Sequence, residues 1–484
     1  MKLKKTFYIL VLLAMLLAAC GGAAPEVEVP AEEASAEEPA EEAAEEPAEV
    51  EEAPAEMTQI RWFVGLGTGT HEPQIVAQEA VVEAFNASQN EIELVLEIVP
   101  FDSARDVLST QIAAGEGPDI IGPVGIGGSN AFYGQWLDLT PYIESANYDL
   151  NQFNEALIEF YQTEEGQVGL PFAVFPSGLF YQTAMFDEAG LNYPPSILGD
   201  PYVWPDGTEE EWNWDTLAEV AKQLTVDVNG LTPLDEGFDR ESIVQIGYTE
   251  PWAAPAVRGT FWGAATPYSG EEGAYTAEIP ASWEAAWRWW FDAVWGDEPF
   301  MANGALADSP EFGSGNVFNS GNAAMGLTQI WYTCCIVDAG DSWDVAAFPT
   351  TDGVLNGRMD ADTFRIWKGT KNPEAAFKVL TYLLSSEAVA TLAPAYGAMP
   401  ARETDQEAFF ATQSETFPQV TNWDLFKTTL AYPDIPSAEA WTPNWNEAWD
   451  RIGTFGSLIQ NDGEMDFDAE LAALEADLTK ILNK

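Results

Sequence analysis

The sequence predicts an α/β protein with a mostly parallel sheet. Short apolar strands alternate with amphipathic helices from residue 57 to the C-terminus, and no short internal repeat interrupts the alternation. With 484 residues, of which 46% are hydrophobic, the chain is large enough to bury one large core or two smaller ones.

Two segments precede that alternation. Lys2, Lys4 and Lys5 lead into the apolar run from Phe7 to Ala19, which has the charged and apolar regions of an export signal and is short for a bilayer span. Leu17, Ala18, Ala19, Cys20 and Gly21 resemble the lipobox of bacterial lipoproteins, which implies cleavage before Cys20 and lipidation of its sulfur. Residues 20–56 hold fourteen Glu, no basic or aromatic residue, and prolines at 25, 30, 39, 47 and 54. Those prolines cut the Ala/Glu run into pieces too short for stable helix, so the segment reads as a linker. At this length a flexible chain spans roughly 30 to 36 Å.

In the remainder, "TQIRWFVG" reads as a strand. "PQIVAQEAVVEAFNAS" reads as a helix with Ile75, Val76, Val81, Val82 and Phe85 mostly on one face. "IELVLEIV" is the next strand, "ARDVLSTQIAAGEG" a helix ended by Gly115, and "PDIIGP" a short strand behind it. Helices also fit "WDTLAEVAKQL", "SWEAAWRWWFDAVW", "NPEAAFKVLTYLLSS" and "FDAELAALEADLTKIL". In the tryptophan-rich helix, Trp283, Trp287, Trp290 and Val294 recur at helical spacing, the pattern of a core stripe.

Charge narrows the partners. The net charge is −60, with −49 on residues 57–484, so the body repels phosphate backbones and anionic lipid and no nucleic-acid partner is expected. Cationic ligands stay open. His71 is the one histidine, which excludes His-based metal clusters and disfavours a Ser-His-Asp triad. There is no G-x-x-x-x-G-K-[ST] stretch, and the glycines at 65, 67 and 69 miss the G-x-G-x-x-G spacing. Asp227 to Asp239 has acidic spacing, but Thr232, Pro233 and Leu234 break a calcium loop, so neither metal nor cofactor is expected.

Eight pieces then occur in one order: "GEGPDII", "WLDLTPYI", "GLPFAVFPSGLFYQTAMFDEAGL", "WNWDTLAEVAKQLT", "FNSGNAAM", "WDVAAFP", "KGTKNPEAAFKVLTYLLSSEA" and "GAMPAR". Together they resemble the extracellular carbohydrate-binding proteins of bacterial ABC importers, of the maltose-binding type, from about Thr58 to the C-terminus. The resemblance implies a two-lobed periplasmic-binding-protein type II fold with discontinuous lobes. Lobe 1 would be 57–171 plus 347–400 and lobe 2 would be 172–346 plus 401–484, with "GLPF" the first hinge crossing and "DVAAFP" the return.

The resemblance also implies site residues. Trp331 and Tyr332 stand where the family presents an aromatic at the cleft, and a sugar offers an apolar C–H face to such a ring and hydroxyls at its rim. Phe175 and Trp262 are candidates for the wall of the second lobe. Asp360 and Asp362 stand where the family often has a glycine and a polar residue, with Asp362 the preferred acceptor or else a solvated turn residue. Trp441 and Trp445 precede a helix that carries a stacking aromatic in related proteins. The loop "GLGTGTHEP" offers backbone N–H groups and the hydroxyls of Thr68 and Thr70, and "GPVG" a second loop. In "FNSGNAAM", Ala323, Ala324 and Met325 read as core. Adjacent Cys334 and Cys335 read either as a vicinal disulfide or as two small apolar thiols.

The expected function is that of a monomeric, lipid-anchored extracytoplasmic receptor, not an enzyme, that delivers a sugar to the permease subunits of an ABC transporter. Two alternatives stand beside it: the same fold binding a polyamine or cationic peptide through cation–π contacts, and a secreted glycosidase using paired carboxylates.

Overall fold

A ten-stranded mixed sheet runs through the molecule, and one long strand passes through both of its halves. The structure is a computed structural model that describes residues 57–484; the expected signal, Cys20 and the acidic linker lie outside the described residues. The main strands are β1 (Thr58–Val64), β2 (Ile92–Ile98), β3 (Ile120–Val124), β4 (Leu170–Gln182), β5 (Ile243–Thr249), β6 (Ala323–Gln329), β7 (Trp343–Ala346) and β8 (Met359–Ile366). Their order is β2-β1-β3-β8-β4-β6-β5, with β7 and the short strand Met399–Pro400 also pairing with β4. The β1–β2, β1–β3 and β5–β6 pairs are parallel, as alternation with helices predicts, whereas every pair made by β4 or β8 is antiparallel.

Every residue of β4 is buried, which explains why its sequence runs apolar without alternation. Over Leu170–Pro176 it pairs with β8 and Met399–Pro400, and over Ser177–Gln182 with β6 and β7. The exchange of partners falls at Pro176–Ser177, a few residues beyond the "GLPF" crossing expected from sequence.

The main helices are α1 (Glu72–Ser88), α2 (Phe101–Ala113), α3 (Ile126–Asn130), α4 (Trp214–Leu224), α5 (Ala281–Trp295), α6 (Pro373–Leu383), α7 (Ser386–Tyr396), α8 (Trp445–Asn461) and α9 (Phe467–Leu482). One core is built from β1, β2, β8, α6 and α7, and reaches along β4 to Phe180 and Tyr332. A second joins Tyr248, Ala324 and Met325 of β5 and β6 to α4, α5, α8 and α9. Trp283, Trp287, Trp290 and Val294 are buried within it, so the stripe on α5 is core as its spacing indicates. Ala323, Ala324 and Met325 are also fully buried.

Helix α1 departs from its predicted face. The buried positions are Gln74, Ala77, Gln78, Val81 and Phe85, while Val76 is exposed. Two glutamines replace the expected aliphatics because they hold the preceding loop. The Gln74 amide accepts from Gly69 N–H at 2.8 Å and donates to Thr68 Oγ1 at 2.9 Å, and Gln78 donates to the Gly69 carbonyl at 2.7 Å. Gly69 is needed there: its φ is +98°, and a Cβ would stand 2.0 Å from Val64 Cγ1.

Candidate functional site

Strand β8 lies beside β4 near the point where β4 changes partners, and it carries Asp360 opposite Phe175 and Asp362 opposite Ala173. Two residues apart on a strand, the two carboxylates share a face. Arg358, just before β8, is 3% exposed; its guanidinium reaches Asp360 at 2.5 Å and Glu439 at 3.1 Å. The Arg358 carbonyl accepts from Ser177 Oγ at 2.6 Å, which ties the arginine to the crossing itself. Burial works against the Arg358 charge, but Asp360, Glu439 and Asp434 hold its pKa above the ordinary value. Asp434 accepts from the Met359 N–H at 3.0 Å and from Thr260 Oγ1 at 3.1 Å, and its own pKa is raised, chiefly by burial.

Glu439 also accepts from the backbone N–H of Gly127 on α3 at 3.3 Å, and Asn130 donates to the Glu439 carbonyl at 2.7 Å. The chain just before α8 is thereby held against α3. Asn446 donates to the Ala131 carbonyl at 3.2 Å, and the ring of Trp441 stacks on Tyr133 at 4.7 Å. Helix α8 belongs to the second core and α3 follows β3 of the first half, so these contacts join the two halves of the molecule.

Asp362 is differently placed. A Cβ on Gly125 would stand 3.1 Å from its Oδ1, so the "GPVG" loop closes over this carboxylate. Among the described residues no hydrogen bond reaches its side chain, and it is half-buried. Burial first, then the charges of Asp360 and Glu439, push its pKa up to about 8. Burial raises the Asp360 pKa as well, to about 6, with Arg358 opposing and the charges of Glu439 and Asp434 adding to the rise. Tyr161 and Tyr396 lie near enough to Asp362 for its charge to add to the burial that raises their pKa values.

The aromatic candidates separate into surface and core. A Cβ on Gly397 would meet the Trp331 carbonyl at 2.8 Å, so the 330–335 turn packs on the C-terminal end of α7. Trp331 is half-buried, donates from Nε1 to Gln329 Oε1 at 2.9 Å, and stacks on Trp252 with centroids 5.9 Å apart and planes 19° from parallel. Trp252 escapes the sequence reading; it is 54% exposed and has a φ of +54°. A tryptophan held in the left-handed region costs on the order of 1–3 kcal/mol, and such residues cluster at ligand clamps.

Tyr332 corrects the expectation: it is fully buried, its hydroxyl donates to Asn316 Oδ1 and accepts from Asn319 N–H, and its ring packs edge-on to Phe180. The ring fills the space under the turn, so it faces the core. Phe175 is likewise core, because every position of β4 is covered on both sides. Trp445 is 7% exposed, stacks on Trp449 at 4.8 Å, and lines a cavity of about 20 Å³, room for one water and not for a sugar ring. Trp262 stacks on Trp214 at 5.2 Å and tilts against Trp289, on the flank of the second core.

Thr68 is half-buried and held by Gln74 in the α1 loop. In the same loop His71 Nε2 lies 3.9 Å from Cys335 Sγ, and Cys335 Sγ stands at disulfide contact with Cys334. The contacts join Asp360, Arg358 and Glu439 in one ion-pair group with Asp362 on the same strand face, and set the Thr68 loop beside the cysteine pair of the turn that carries Trp331, which stacks on Trp252.

Two halves, traversed by one strand and joined by the Glu439–Gly127 and Asn446–Ala131 contacts, define a two-lobed solute receptor. The chain belongs to the bacterial extracellular solute-binding protein family, whose model matches residues 70–390. A binding protein of Brucella abortus is 24% identical over 416 residues, covering 82% of this chain and 88% of its own. An ABC substrate-binding protein of Listeria monocytogenes, solved with cycloalternan, superposes with a TM-score of 0.68 at 19% identity, over 88% of this chain and 99% of that one. A solute-binding protein of Thermotoga lettingae bound to α-D-tagatose and the maltose-bound MalE3 of Thermotoga maritima each give a TM-score of 0.64, at 18% and 16% identity, over 88% of this chain and 100% of theirs. The family and these structural neighbours are binding proteins.

Proposed function

We propose that this chain captures a sugar or oligosaccharide between its lobes and delivers it to the permease of an ABC importer, without chemical turnover. The observation that carries the reading is the stack of exposed Trp252 on Trp331, a flat apolar face, in a molecule whose carboxylates Asp360 and Asp362 share one strand face where β4 changes partners. The sugars held by the neighbouring structures support the same class.

The lobes divide where β4 changes partners, at Pro176–Ser177, with the return crossings between β7 and β8 and after Met399–Pro400. Glu439 on Gly127 and Asn446 on Ala131 are the contacts of a closed clamp, and opening breaks them. Cys20 carries lipid, and the acidic linker lets the monomeric body reach a permease while tethered outside the cytoplasm.

A thermal-shift screen against sugars, polyamines and cationic peptides tests this. A sugar at a hundred times its dissociation constant adds about 2.7 kcal/mol of stability. A shift with polyamines or peptides alone, or cleavage of an oligosaccharide during incubation, overturns the reading.

A further inference from the structure

Trp252, the exposed half of the aromatic stack, has its backbone where an L side chain is strained, and the turn that carries it explains why. The Ala253 N–H donates to the Glu250 carbonyl at 3.3 Å, closing a four-residue turn with Pro251 second and Trp252 third. Proline second and a positive φ third is the type II pattern, whose third position ordinarily takes glycine. Strain of this kind persists only where the surroundings over-determine it.

Those surroundings centre on a buried ion pair. Strand β5 ends at Thr249 and a short helix, Pro255–Thr260, follows, so the Trp252 turn bridges the two. Arg258 of that helix reaches back, donating from Nη1 to Glu250 Oε2 at 2.9 Å and from Nη2 to the Glu250 carbonyl at 3.4 Å. Tyr248 of β5 donates to the other carboxylate oxygen at 2.8 Å. The Arg258 guanidinium lies 4.1 Å over the ring of Trp290 on α5, and that indole donates to Gln460 of α8 at 3.0 Å. Glu250 and Arg258 are 5% and 9% exposed. Both carboxylate oxygens bond to the protein, so the pair braces the turn from inside.

We propose that Glu250 and Arg258 are positioning residues of the site: they staple the two ends of the Trp252 turn to the second core and hold the indole parallel to Trp331. A face fixed in advance receives a ligand ring without the cost of being ordered on binding. Its use by a sugar rests on the reading above, whereas the bracing is a property of the empty protein.

Circular dichroism of the full chain without ligand reads the stack, because indoles 5.9 Å apart and 19° from parallel couple as an exciton pair. The wild-type spectrum minus that of Trp252→Phe isolates the couplet. Glu250→Gln, which keeps the side-chain shape but weakens its charge-assisted bonds, should reduce the couplet about two-fold or more in folded protein. Arg258→Met should do the same, and Glu250→Gln should change nothing further in the Trp252→Phe background. A couplet of wild-type size in either folded variant marks a pair that serves the core alone and overturns the proposal. Where neither variant folds, Trp252 decides: Trp252→Gly should melt several degrees above Trp252→Ala, since glycine suits the braced turn. Equal melting temperatures overturn the proposal. Because every readout is taken without a sugar, its failure leaves sugar capture standing.

Discussion

Glu439 accepts from Arg358 at 3.1 Å and from the Gly127 N–H at 3.3 Å, so one carboxylate ties the chain before α8 to the start of β8 and to α3. The arginine lies against Ser177, where β4 changes partners, and the glycine on α3. The contact between the two halves and the charge balance around Arg358 therefore depend on the same group.

Arg358→Ala leaves Asp360 and Glu439 without their counter-ion in a dry setting. Removing one partner of a buried pair typically costs about 3–5 kcal/mol, and urea unfolding of the variant should show a loss in that range. A change under about 1 kcal/mol would mean that solvent already screens the cluster.

Asp362 should make stability fall as pH rises. Its folded pKa, about 8, exceeds the unfolded value near 3.9, so the folded form retains a proton that the unfolded chain releases. That contribution is fully present below the unfolded value and is lost as pH rises through about 8. Burial raises it first, then the charges of Asp360 on its own strand and Glu439 before α8. Melting temperatures from pH 4 to 9 should therefore show D362N gaining on the wild type across the window and matching it near pH 4. Parallel curves would contradict the assignment.

Trp252 and Tyr332 should separate binding from folding. Trp252→Ala removes an exposed ring and should lower sugar affinity about ten-fold, as loss of a stacking platform does, with little change in unfolding free energy. Tyr332→Ala empties a fully buried site and should cost about 3–5 kcal/mol. Equal effects of the two on stability would refute the division between platform and core.

The cysteine pair is expected to be oxidised in exported protein, beside His71. In Cys20→Ser protein, alkylation before reduction should add no label to Cys334 or Cys335, and alkylation after reduction should add two. Two labels without reduction would show free thiols.

The strands, the helices and the core stripe of α5 were legible because period and burial are local signals. The face of α1 was not: Gln74 and Gln78 are buried because the Thr68–Gly69 backbone needs their amides, a demand set by a loop outside the helix. Asp360, Asp362 and Trp331 were proposed from motif order, which places strand ends. Arg358, Glu439 and Trp252 lie in irregular segments where no periodicity marks them; only a tertiary partner or a positive φ does. Tyr332 and Phe175 were misjudged because an aromatic beside a cleft and an aromatic beneath it read alike in one dimension.

Small-angle scattering with and without a saturating sugar tests the clamp most directly. The account predicts a larger radius of gyration for the empty protein, falling on binding as Glu439 closes onto Gly127. An unchanged radius, with calorimetry showing the sugar bound, would contradict it.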